Sequence, residues 1–176
     1  MGFRSFFTLA ILCAVWYGME TSFPDHLLPA GNRPALYADT TMAGKVVGIT
    51  DGDTFRLFLA DSSIVKIRIA GIDCPERKQP FSTRAKQFTS TAIFSKEVKV
   101  AIQNKDRYGR YIADVFYDRK NLGEALLENG MAWHYVRYSS DKKLQQLEDK
   151  ARAGKVGLWA DKNAVPPWEW RRVSRQ

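Results

Sequence analysis

From residue 45 onward the chain alternates apolar and polar positions in short runs separated by Asp, Gly and Ser. Lys45–Thr50 and Thr54–Leu59 are two such runs, divided by Asp51-Gly52-Asp53, and Asp61-Ser62-Ser63 leads into a third, Ile64–Ile69. Period-two alternation between turn residues predicts short strands in an antiparallel meander. In the third run it places Lys66 and Arg68 on one face. The period then lengthens. Ala85, Phe88 and Ala92, spaced i, i+3, i+7, predict a helix over residues 84–94. Val98–Ile102 and Ile112–Tyr117 alternate again, while Leu122–Asn129 and Leu144–Ala153 have helical spacing, stopped by Gly130 and Gly154.

Three strands, a helix, two strands and then helices is the order of a small closed barrel. It predicts an α+β, mainly β chain: a five-stranded OB-fold barrel with about three helices. Residues 45–160 carry this pattern. Ahead of it, residues 1–20 read as a signal peptide or an uncleaved signal anchor: Arg4 precedes an apolar run, Phe6–Tyr17, with no charge until Glu20. That run is shorter than the about 20 residues a bilayer span needs, and no A-x-A cleavage pattern follows it. Residues 21–44, with Pro24, Pro29 and Pro34, read as a linker or arm, and residues 161–176 as a basic, Trp-rich tail. The cysteines are Cys13 and Cys74, so loss of the signal leaves one thiol and no intramolecular disulfide.

A formal net charge of +8 implies an anionic partner, either nucleic acid or an acidic membrane surface. Against that background the clustered carboxylates stand out. Asp51-Gly52-Asp53 alone reads as a tight turn. Its glycine stands second rather than sixth, which excludes an EF-hand. Combined with Asp73, it supplies carboxylates from two loops at one end of the barrel, a donor set for calcium or magnesium completed by carbonyl and water oxygens. That His26, His134 and one cysteine are all the chain offers outside the apolar run argues against a closed structural zinc site. Glu76, beyond the stiffening Pro75, is placed to act as a base beside such a cation. Arg68 can hold two phosphate oxygens at once. Arg110, in Asp106-Arg107-Tyr108-Gly109-Arg110, presents a second guanidinium on a loop. Together these groups describe phosphodiester hydrolysis.

The set "DGDTF", "RIAGIDCPE" and "DRYGR", in this order over about residues 45–160, resembles the staphylococcal nuclease (thermonuclease) family. The resemblance implies that Asp53 and Asp73 are calcium carboxylates and that Cys74 ligates calcium through its carbonyl. It implies that Arg68 and Arg110 are the phosphate-contacting arginines and Glu76 the catalytic glutamate. It further implies calcium-dependent cleavage of DNA and RNA, leaving 3′-phosphates. Where the staphylococcal enzyme has threonine, this chain has Cys74. Of that enzyme's two pocket tyrosines, the segment 133–138 keeps Tyr138 and has Val136 at the other position, with Tyr135 as a neighbouring candidate. His134 is expected to be a surface or satisfied histidine.

Residues 157–172 resemble the tail of exported Gram-negative members. Trp159 is expected to pack on the barrel. The interleaved aromatics and arginines of the tail can bind single strands, but the tail is expected to fold back on the domain, and no site residue is named in it. The implied product is a monomer without an obligate protein partner, periplasmic or secreted, or else membrane-anchored by its first segment. The rival reading is a noncatalytic OB-fold module that binds nucleic acid. Degeneration to a binder would normally remove one of Asp53, Arg68, Asp73, Glu76 or Arg110, and all five are present.

Overall fold

The alternating runs become β1 (Thr41–Ile49), β2 (Thr54–Phe58) and β3 (Ile64–Ile69), an antiparallel meander in the computed structural model, which describes residues 40–173. The segment 1–20, residues 21–39 of the arm, Cys13 and His26 lie outside the described residues. Alternation shows directly in burial: Phe55, Leu57, Ile67 and Ile69 enter the core, while Arg56 and Lys66 point outward. β1 begins four residues before the Lys45 run because Thr41–Lys45 pairs with β5 (Glu97–Lys105), in register Thr41↔Ala101 to Lys45↔Glu97. Its other half pairs with β2, and a register shift between Val46 and Gly48 bends it from one partner to the other.

β5 pairs antiparallel with β6 (Tyr111–Tyr117). The barrel then closes through a parallel pairing of β3 with β6, Ile67↔Tyr111, Arg68↔Ile112 and Ile69↔Ala113. The sheet order β3-β2-β1-β5-β6, closed by that contact, gives the five-stranded mixed barrel expected of an OB fold. Its parallel seam departs from a purely antiparallel meander.

Helix α1 (Ser82–Ile93) buries Ala85, Thr89 and Ile93, with Phe88 and Ala92 flanking the same core. A two-residue strand, β7 (Lys120–Asn121), extends β6 and leads into α2 (Leu122–Glu128). Asn121 caps α2 by accepting from the Gly123 N–H at 2.8 Å. Two further short strands, β4 (Ile72–Asp73) and β8 (Trp133–His134), pair antiparallel beside the barrel. Helix α3 (Lys142–Ala153) starts at Asp141, whose carboxylate accepts from Lys143 N–H. Trp159 packs as expected: it is 7% exposed and meets Trp133 edge-on, with centroids 5.3 Å apart. A fourth helix, α4 (Pro167–Val173), forms in the tail. Among the described residues no helix is long and apolar enough to cross a membrane.

Candidate active site

The Asp51–Asp53 turn is fixed from beneath by α1. The buried Thr89 hydroxyl donates to the Gly52 carbonyl at 2.6 Å. Position 52 has room only for glycine: a β-carbon there would stand 2.8 Å from Cys74 Cβ and Sγ and 2.9 Å from Ala85 Cβ. The β2–β3 register sets Thr54 opposite Arg68, which brings Asp53 alongside the guanidinium. Arg68 Nη1 donates to Asp53 Oδ1 at 2.5 Å and Nη2 to Asp73 Oδ1 at 2.7 Å. The other oxygen of Asp53 accepts from the Cys74 N–H at 2.8 Å. Asp53 and Asp73 are 2% and 0% exposed, and these donors replace the hydrogen bonds with water that burial removes.

Electrostatics follow from that burial. Removal from water opposes the charge on Arg68, but Asp53 and Asp73 outweigh it and hold the guanidinium firmly protonated. Burial raises the Asp73 carboxyl, and the Arg171 and Arg68 guanidinium groups work against that rise. Asp51, whose Oδ1 accepts from the Asp53 N–H at 3.1 Å, is pushed up to about 7 by burial and then by the charge of Asp53. The Cys74 thiol belongs to the hydrophobic core and is raised by burial, so its sulfur is no metal donor.

Glu76 and Arg110 line the same cleft as this cluster, a cavity of about 1200 Å³. Arg110 bonds with Asp106, not with the buried carboxylates: its Nε donates to Asp106 Oδ2 at 2.8 Å and its N–H to Asp106 Oδ1 at 3.0 Å. Gly109, at φ 79°, makes the turn that allows this. The backbone and side-chain hydrogen bonds from Arg110 and Tyr108 lower the Asp106 carboxyl, overcoming the effect of desolvation. Tyr135 and Tyr138 also line the cleft, in edge contact at 4.9 Å. His134 is buried, its ring nitrogens against Gln145 Oε1 and Ser139 Oγ, which makes it a satisfied histidine.

The tail folds back on the domain as expected and reaches this cleft, although the sequence names no site residue in it. Arg171 of α4 donates from Nη2 to Asp73 Oδ2 at 2.7 Å and from Nη1 to Asp73 Oδ1 at 3.3 Å, and Nη1 also bonds Glu76 Oε1. Three residues earlier on the same helix, Trp168 stacks on Tyr135 with centroids 5.3 Å apart and planes 1° from parallel. The i, i+3 spacing of Trp168 and Arg171 was the available signal, since it puts both on one helical face. Asp51 was missed as more than a turn residue; its place in the cleft lining is the structural reason to include it.

Asp51, Asp53, Asp73 and Glu76 offer hard oxygen donors, and Cys74 can add only a carbonyl oxygen. That chemistry suits an open site for a hard divalent cation completed by water. Among the described residues no group of three or more His, Cys, Asp or Glu side chains is placed to hold a metal ion, so carbonyl and water oxygens would have to complete such a site.

Residues 66–161 match the family model described as "Staphylococcal nuclease homologue". A Haemophilus influenzae protein named as an uncharacterized endonuclease is 40% identical over 131 residues, covering 74% of this chain and 74% of its own. Protein ParB of Escherichia coli is 38% identical over 144 residues, covering 76% and 81%. A protein of Shigella flexneri named micrococcal nuclease is 37% identical over 143 residues, covering 75% and 82%. With a family model spanning more than half its length and relatives this similar over most of theirs, the chain belongs to the staphylococcal nuclease family.

Proposed function

We propose that the protein is a nuclease that hydrolyses phosphodiester bonds of DNA and RNA with a hard divalent cation, calcium, held by Asp53, Asp73 and the Cys74 carbonyl. The observation that carries this reading is the buried bridge of Arg68 to Asp53 and Asp73 at a cleft that Glu76 and Arg110 also line. Family membership supports the nuclease assignment. Calcium, sugar-nonspecificity and 3′-phosphate products rest on the resemblance of the site residues.

When bound, the cation would polarise the phosphate and acidify water. Arg68 has more N–H groups than its carboxylate contacts use, and Arg110 bonds Asp106 through Nε with its terminal nitrogens left over. Both can therefore bind phosphoryl oxygens and offset charge building in the transition state. Glu76 bonds Arg171 through Oε1, leaving Oε2 to accept a proton from the attacking water. Lys86, Arg107 and Arg137 line the same cleft and attract a polyanion. Export, by the segment 1–20, belongs to the same proposal and rests on that segment's basic head and apolar run.

The test is digestion of fluorescent DNA and RNA by the purified protein, with calcium or with excess chelator, beside Glu76→Gln. Calcium-dependent cutting of both polymers, reduced at least 100-fold in the variant, is expected on the scale of general-base losses, about 10²–10⁴-fold. A folded wild type that binds the polymers and cuts neither would instead identify a noncatalytic binding module.

A further inference from the structure

Glu76 sits on the loop between β4 and α1, half-buried, and on its own strand-to-helix connection nothing fixes its carboxylate. A base that must meet a water beside a phosphate needs placement within a fraction of an ångström. The groups that hold it come from the far end of the chain. We infer that Arg171, delivered by α4, is a positioning residue of the hydrolytic site, fixing the Glu76 carboxylate relative to Asp73. The inference rests on the nuclease reading above.

Three contacts carry it. One guanidinium bonds both oxygens of Asp73, at 2.7 and 3.3 Å, and Oε1 of Glu76, so it sets the separation of the two carboxylates. Buried Gln79 ties the same loop to the same tail: its Oε1 accepts from the Glu76 N–H at 2.8 Å, and its Nε2 donates to the Val165 carbonyl at 2.6 Å. The Trp168–Tyr135 stack anchors α4 to the segment after β8, with Pro167 buried at the start of the helix. Backbone, side chain and helix face are thus all held, and the contacts span 95 and 98 residues of sequence.

The geometry supports a constituent rather than a plug. Arg171 leaves Asp73 Oδ2 a second lone pair, because that oxygen accepts only one of these bonds.

The experiment measures kcat and KM on a short fluorescent DNA for wild type, Arg171→Ala and Trp168→Ala, and calcium affinity by calorimetry for each. Arg171→Ala should lose about 100-fold in kcat, the scale of a misplaced reacting group, with KM within about threefold. Millimolar methylguanidinium should restore part of that loss, which a merely loosened fold would not allow. Trp168→Ala, which leaves Arg171 intact, should lose about tenfold in kcat with the same KM. Unchanged kcat in Arg171→Ala would overturn the inference, as would a raised KM alone. Faster turnover with calcium bound tenfold more tightly would also overturn it and assign α4 as a plug the cation displaces. A wild type that fails to cut removes the nuclease reading itself, whereas a wild type that cuts beside a normal Arg171→Ala removes only this inference.

Discussion

Replacing Thr89 by valine isolates the support of the Asp51–Asp53 turn from the chemistry above it. The side chain is fully buried in α1, does not line the cleft, and its hydroxyl donates to the Gly52 carbonyl at 2.6 Å. Valine has nearly the same volume, so packing is kept while a buried acceptor loses its partner. That costs about 1–3 kcal/mol. Relief comes if the turn moves toward water by a few tenths of an ångström, carrying Asp51 and Asp53 with it. Scaled from a loss of about 10²-fold per ångström of misplacement, the turnover falls roughly tenfold. Thr89→Ser is the control, since it keeps the donor and deletes one methyl group, at about 1 kcal/mol. Urea unfolding and cleavage rates, measured side by side, should show Val destabilised and slow but Ser destabilised and fast. If serine slows cleavage as much as valine does, the hydroxyl is not what places the turn and the reasoning fails.

Arg68→Leu leaves Asp53 and Asp73 buried without their shared cation, a loss of about 3–5 kcal/mol near neutral pH. Protonation of Asp73, whose carboxyl burial already raises, can relieve it, so urea unfolding at about pH 4 should show a smaller cost; equal costs at both pH values would show that lost packing dominates. Asp51 is raised from 3.8 to about 7, so the folded chain keeps a proton that the unfolded chain releases. Stability therefore falls as pH rises through that window and levels off above it. Asp51→Asn removes the penalty while its amide oxygen can still accept from the Asp53 N–H. Measured in chelator, its advantage over wild type should be nil near pH 4 and reach about 2–4 kcal/mol near pH 8. An advantage already complete near pH 4 would contradict this.

The barrel was legible because one face of each strand is buried, and burial enforces period two: Ile67 and Ile69 inward, Lys66 and Arg68 outward. The same alternation put Arg68 on the face opposite the core, but its bridge to Asp53 and Asp73 depends on where two loops fold and was not legible. The early start of β1 was not legible, since Thr41 and Ala43 are exposed and their pairing with β5 is a distant contact. Nor was the parallel seam, because a strand's own pattern does not name its neighbour. β4 and β8, at two residues each, are too short to show a period. Arg171 escaped for a related reason. Helical spacing pairs it with Trp168, but which surface that face meets is decided by Tyr135, Asp73 and Glu76, some 33 to 98 residues earlier.

The order in which a ribosome makes this chain gives the seam and the last helix a further meaning. Asp53, Arg68, Asp73 and Glu76 emerge first, Arg110 arrives with the strand that closes the barrel against β3, and Arg171 follows all of them. A partly made or truncated chain therefore carries every carboxylate of the cleft but not the guanidinium that joins Asp73 to Glu76. Under the positioning role inferred for Arg171, cutting power is withheld until α4 has been made and docked, which spares a producing cell's own nucleic acid from copies that lack it.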